Sequence, residues 1–376
     1  MIKTVKTKEK IYDLSMEYIT YDSDKTVDNN SGAYLFIPKS PAEKLRSSPN
    51  PEIIVIEGPI KSTLHSALLD PNNAYILAST SIYNNPSLPQ VEIEMSNTLQ
   101  INHQADDVEV ALKLTTTIQN EDTFYTDLNG MQMIKRKTFD KLPTQANFYP
   151  LPAATYIEDD KSRLTVLTST PLGMAAQQPG QIEIMQDRRL SRDDNRGMNQ
   201  GVLDNVLTRH TFKIILEDIN LPCQKVDPNH PSGQLSLGSH VSQQLLLNPL
   251  VTMQFVSRQD TPYVISSSPS LGADIVLASY RSHLTGKNKD GTVLNGFGMT
   301  FQRMFVDKCF GSPNISKFYP ISHGLIKPSS ITKLEDESIV FESSLTHVRI
   351  SNPLPHGVLT ICPMEIRSVF IKHTYK

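Results

Sequence analysis

The chain has 376 residues, 38% hydrophobic and 20% charged, with a net charge of −3. That length allows two or more domains and a sizeable core. The near-neutral charge, without a Lys/Arg run, argues against nucleic acid as a partner, and no apolar run is long enough to span a membrane.

The opening ten residues, 1–10, hold no apolar signal core; read alone, they keep the chain in the cytosol. From there the hydrophobic period is two rather than 3.6. Residues 108–118 show it best. Val108, Val110, Leu112, Leu114 and Ile118 share one face, as in a half-buried antiparallel strand. Further strands are predicted at 11–20, 33–37, 52–57, 74–82, 90–96, 131–139, 163–169, 181–186 and 209–217. Turn signals separate them at Asp70-Pro71-Asn72-Asn73, Asn129-Gly130 and Pro179-Gly180. Many strands at short spacing predict an all-β sandwich over 1–220. An irregular linker follows at 221–245, marked by Pro222, Pro228 and Pro231. A short helix is predicted at 240–247, stopped by Pro249. Residues 246–376 read as a second, smaller β-sandwich, with strands at about 250–256, 273–280, 292–305, 338–342, 345–350, 357–362 and 366–373. Gly296 and Gly298 inside an apolar strand suggest a bulge.

Chemistry concentrates at 181–205. The short strand carrying Ile182 and Ile184 runs into Asp187, Arg188, Arg189, Arg192, Asp193, Asp194 and Arg196, then Gly197 and Gly201. Opposed charges on a turning backbone make a rigid, ion-paired loop. It serves either as a structural salt-bridge cluster or as a polar rim for a polyhydroxylated ligand. Other catalytic patterns are missing. The ten histidines include no His-x-Asp or His-x-x-x-His pair. His103 with Asp106 comes nearest to a metal pair and reads more simply as a polar turn. Asp193-Asp194 are adjacent and would point to opposite faces of an extended chain, and Glu158-Asp159-Asp160 read as exposed turn residues, so neither makes a catalytic carboxylate pair. No nucleophile elbow or phosphate loop occurs.

Several longer segments resemble one family. Gln181-Ile-Glu-Ile-Met-Gln-Asp-Arg-Arg-Leu190 followed by Asp193-Asp-Asn-Arg-Gly-Met-Asn-Gln-Gly201 is similar to the hallmark loop of the class II α-mannosidases, glycoside hydrolase family 38, and most of all to its Golgi branch. Ser31-Gly-Ala-Tyr-Leu-Phe-Ile-Pro38, Phe124-Tyr-Thr-Asp-Leu-Asn-Gly-Met-Gln132, Lys141-Leu-Pro-Thr-Gln-Ala-Asn-Phe-Tyr-Pro150 and Cys362-Pro-Met-Glu365 agree in the same order. The likeness is strong over 31–216 and thin after about 220.

The resemblance implies a large β-supersandwich of the galactose mutarotase-like kind, followed by smaller β units. It implies a retaining, zinc-dependent mannosidase that trims mannose from N-glycans in the Golgi lumen. The zinc, the nucleophile and the acid/base carboxyl would lie on an upstream α/β domain of the same protein, which nothing in these residues matches. By this likeness Tyr34 reaches the mannose, Arg196 lines the same pocket, and Asp193 and Asp194 orient the loop. From its own context, alternating with Phe36, Tyr34 reads instead as a core or interface tyrosine. The alternative class is a non-catalytic sandwich that binds glycan or protein; the absence of Trp weighs against a simple lectin.

In a lumen, three cysteines suit one bridge and one free thiol. Cys223 and Cys309 sit in loop-like contexts and are expected to pair. Cys362 sits in the alternating stretch 358–362 and is expected to stay free. Asn29 and Asn314 begin Asn-x-Ser glycosylation motifs.

Overall fold

The computed structural model describes residues 4–6, 11–26, 29–45, 52–83, 90–220, 222–223, 230–252, 271–287, 289–312, 314–328, 331 and 339–372. Every named ladder is antiparallel, which confirms the all-β class. Two units emerge, 1–249 with 308–312, and 250–307 with 313–376.

The first unit is a two-sheet sandwich. One sheet has seven strands and is centred on Ile11–Asp22, Val108–Thr116 and Gln181–Arg189. The other has ten, running from Ser232–Gly233 at one edge to Glu52–Ile56 at the other. Leu112, Leu114, Ile182 and Ile184 meet Ile76, Ile93, Val166, Phe212 and Ile214 between them. The period-two pattern therefore places one face of each strand in a shared core. Asn129 and Gly130 turn a hairpin, both with positive φ. The hairpin strands Lys61–Leu69 and Thr123–Leu128 exceed the sequence expectation.

Three differences from that expectation have physical causes. Residues 33–37 form no strand. The Ser31 hydroxyl donates to the Ile37 carbonyl and accepts from the Ile37 N–H, which closes the segment on itself. The strand Val108–Thr116 is covered on both faces, because Ala111 packs with Ile19 and Tyr21 under Phe36, Ala42 and Phe148. The stretch 232–247 packs on the first unit rather than linking two units. Ser232–Gly233 pairs with Met133 and Ile134, and the helix Leu237–Leu247 is N-capped by Ser236. Ser236 and Ser239 both donate to the buried Glu217. The first unit thus runs on to 249, through the linker expected at 221–245.

The second unit is a five-stranded sheet in the order 275–287, 293–303, 366–372, 340–343, 350–353. A two-stranded ladder, Leu325–Ile326 with Leu359–Thr360, shares its core of Phe297, Met299, Phe301, Val369 and Ile371. Residues 345–349 are a turn, and the strand starts at Ile350. The strand expected at 250–256 lies mostly outside the described residues. The bulge sits opposite the two glycines, between Arg281 and Leu284. Gly298 itself lies against the His347 ring, 2.6 Å from where a Cβ would stand, so close approach calls for it.

Candidate functional site

The site begins with an irregularity in a strand. Ala111 pairs with Met185 and Val110 with Asp187, so Gln186 is an extra, bulged residue. Asp187 and Arg189 then stand opposite Val110 and Val108, and Arg188 opposite Glu109.

Arg189 anchors the loop that follows. Its guanidinium donates to the carbonyls of Ala105, His103 and Leu203 and to Asn205 Oδ1, at 3.0–3.3 Å. Ser191 is held by Asp107, which accepts from its N–H at 2.8 Å and from its hydroxyl. Leu190 and Val202 exchange two backbone bonds across the loop base. Asn195 and Gly197 turn the tip, with φ of 58° and 101°.

The tip meets the segment from Ser31 to Pro38. Asp194 is buried, and its Oδ2 accepts from the Tyr34 N–H at 2.7 Å and the Leu35 N–H at 2.9 Å. Its Oδ1 accepts from the Arg196 N–H at 3.2 Å. Burial pushes this carboxyl up, but the three backbone donors outweigh it and hold it below the ordinary Asp range. Asp193 is half-buried, and its Oδ2 accepts from the Asn195 N–H at 3.1 Å. Asp194 and Asp193 therefore fix backbone; they do not form a catalytic pair.

The side chain of Tyr34 is 63% exposed, and Arg196 is exposed beside the same carboxylate. Residues 160 positions apart in sequence thus share one edge of the first unit. The loop and the segment leaving it also expose apolar side chains: Met198, Leu203, Val206 and Leu207. A polar cleft of about 450 Å³, lined by Asp22, Asp24, Lys39 and Asp106 among others, opens by Asp107.

Sequence reasoning missed Glu109, Asp107 and the bulge at Gln186. Glu109 stands on the face taken as solvated, yet it is 1% exposed. Glu158 and Asp159 are engaged rather than free. Glu158 pairs with the buried Arg163, and Asp159 accepts from the N–H groups of Gln119, Lys161 and Ser162.

Among the described residues, no group of three or more His, Cys, Asp or Glu side chains is placed to hold a metal. His103 and Asp106 are both exposed. The zinc implied by the resemblance has no ligand set in these residues.

Cys223 and Cys309 form a disulfide with Cα atoms 5.4 Å apart, inside the first unit. Cys362 is free, as expected, and exposed, because the strand ends at Thr360. Asn314 is exposed at the start of a four-residue helix, and Asn29 lies in a two-residue strand.

Residues 2–196 match the family model described as "Glycosyl hydrolases family 38 C-terminal domain". Alpha-mannosidase 2 of Drosophila melanogaster is 32% identical over 351 residues, covering 92% of this chain and 29% of the relative. The human Alpha-mannosidase 2 is 32% identical over 385 residues, covering 99% of this chain and 32% of the relative. The chain thus spans about a third of the length of these relatives. The crystal structure of an alpha-mannosidase from Enterococcus faecalis shares the fold, with a TM-score of 0.59 at 11% identity, over 98% of this chain and 40% of that one. The bulged strand, its anchored loop and the Ser31–Pro38 segment all fall within or at the end of the matched region, and the chain belongs to glycosyl hydrolase family 38, in its C-terminal domain.

Proposed function

We propose that this chain is the C-terminal β portion of a retaining, zinc-dependent α-mannosidase that removes mannose from N-glycans in the Golgi lumen. It contributes pocket residues and not the cleaving groups. Tyr34 offers a phenol hydroxyl to the sugar, and Arg196 lines the same pocket. Asp194 and Asp193 set the backbone on which both stand. The zinc and the two catalytic carboxyls belong to an α/β domain of the same protein that docks on this edge.

One observation carries the reading. Tyr34 is mostly exposed, while its backbone is clamped by a buried carboxylate. An exposed polar group on a rigid base positions and discriminates ligands. The exposed apolar side chains of the 198–207 stretch suit an interface between domains. The test is a chimaera, in which this chain replaces the last third of the Drosophila relative. Turnover of an aryl α-mannoside by the chimaera, with none from the chain alone, supports the reading. Chelator-sensitive turnover by the chain alone refutes it.

A second reading, a non-catalytic module that binds glycan or protein, draws on the edge strand Glu52–Ile56. All five residues are exposed there, with Ile54 at 60%. A chimaera that folds and stays inert would favour it.

A further inference from the structure

Ile182 and Ile184 point into the core. Unbroken alternation would send Gln186 and Arg188 there too. The extra residue at Gln186 inverts the phase, and Arg188 emerges on the outer face with Glu109 as its cross-strand neighbour. There its Nη2 donates to Glu109 Oε1 at 2.7 Å and to the Leu35 carbonyl at 2.6 Å. One guanidinium nitrogen therefore ties the sheet to the residue next to Tyr34.

Glu109 is enclosed from every element packed on it. Arg188 faces it from one neighbouring strand and Tyr21 from the other. Ser31 lies close to it on the covering segment. Glu183, which accepts from the Tyr21 hydroxyl, and Lys113, 3.9 Å from Glu183, lie on the same face, and further along it Glu17 pairs with Lys44. Burial pushes the Glu109 carboxyl up to about 7, against the pull of Arg188 and Ser31.

Asp194 holds the N–H groups of Tyr34 and Leu35 from one side, and Arg188 holds the Leu35 carbonyl from the other. A residue gripped at both its N–H and its carbonyl has little freedom left. We propose that Arg188, held by Glu109 and aimed by the bulge at Gln186, is a positioning residue that fixes the backbone beneath the Tyr34 side chain. This rests on the reading of Tyr34 as a sugar-contacting group and names what sets its place.

Amide hydrogen exchange of the intact chain between pH 6 and 8 tests it, with the intrinsic rates divided out. In the wild type, protection of the Tyr34 and Leu35 amides should fall about tenfold over that range, because opening the covering segment solvates a carboxyl that burial holds near 7. Glu109→Gln should abolish the fall. Arg188→Ala should lower protection at both amides about tenfold, and Arg188→Lys should recover part of it. The core amides of Leu164 and Ile214 should not change. Unchanged protection at Tyr34 and Leu35 in Glu109→Gln and Arg188→Ala would overturn the proposal. An equal loss at Leu164 and Ile214 in both variants would also overturn it, since the pair would then serve only global stability. If Arg188→Ala does not fold, the pH comparison with Glu109→Gln decides alone. None of these readouts involves sugar, so their failure leaves the reading of Tyr34 standing, and a failure of that reading shows only in mannoside turnover.

Discussion

Replacing Asp194 by asparagine probes the clamp with almost no change of shape. Three backbone N–H groups converge on the carboxylate, two on Oδ2 and one on Oδ1. An asparagine can turn its carbonyl oxygen towards Tyr34 and Leu35. Its amide nitrogen then faces the Arg196 N–H, donor against donor. Two bonds lose their charge assistance and the third is lost. A hydrogen bond to a charged group is worth roughly 1.5–3 kcal/mol, against about 1 for a neutral one. The expected cost is therefore about 3 kcal/mol, or roughly 6–12 °C in Tm for a unit of this size. The sign with pH follows from the direction of the shift. The carboxyl is held below its unfolded value, so its stabilisation is present above about pH 4 and is lost as pH falls through the lower folded value. Wild type and Asp194→Asn should differ at pH 7 and converge towards pH 2–3. Urea unfolding followed by circular dichroism at both pH values measures this. A difference below about 0.5 kcal/mol at pH 7, or one that persists undiminished at pH 2, would refute the clamp.

Other outcomes are expected from the same contacts. A Cβ on Gly32 would stand 2.5 Å from that of Asp194, so Gly32→Ala should push the two segments apart and cost roughly 1–3 kcal/mol by thermal unfolding; a neutral result would mean that the segments separate freely. Cys223→Ser opens a cross-link between residues 86 positions apart and should cost about 2–5 kcal/mol, with no further loss when reductant is added. Glu109 acts in the opposite sense to Asp194. Its folded value is raised from 4.5 to about 7, so the stability it contributes is full below pH 4.5 and is lost as pH rises to about 7. Relative to Glu109→Gln, the wild type should lose about 3 kcal/mol across that window in denaturant titrations, and parallel curves would contradict the burial of this charge.

The sheets were legible because burial on one face leaves a period of two, as in Val108, Val110, Leu112 and Leu114. The pattern failed where tertiary packing overrode it. Glu109 and Ala111 look solvent-facing until residues 31–45 fold over them, and no local signal announces that cover. Residues 33–37 alternate like a strand, yet the Ser31 hydroxyl takes the backbone partners a neighbouring strand would have supplied. The bulge at Gln186 leaves no mark of its own. It shows only as a change of phase between Ile184 and Asp187, and it decides which way Arg188 points. The meeting of Tyr34 with Asp194 was legible only through the family resemblance, since nothing local links residues that far apart.

The most direct measurement is kcat/KM for an aryl α-mannoside in the chimaera, with and without Tyr34→Phe. The change removes one hydroxyl and keeps an exposed ring, so Tm should move by less than about 1 °C. If the phenol meets the sugar, kcat/KM should fall about tenfold or more, the worth of one hydrogen bond to a ligand hydroxyl. An active chimaera whose kcat/KM is the same with either residue would contradict the placing of Tyr34 in a mannose pocket.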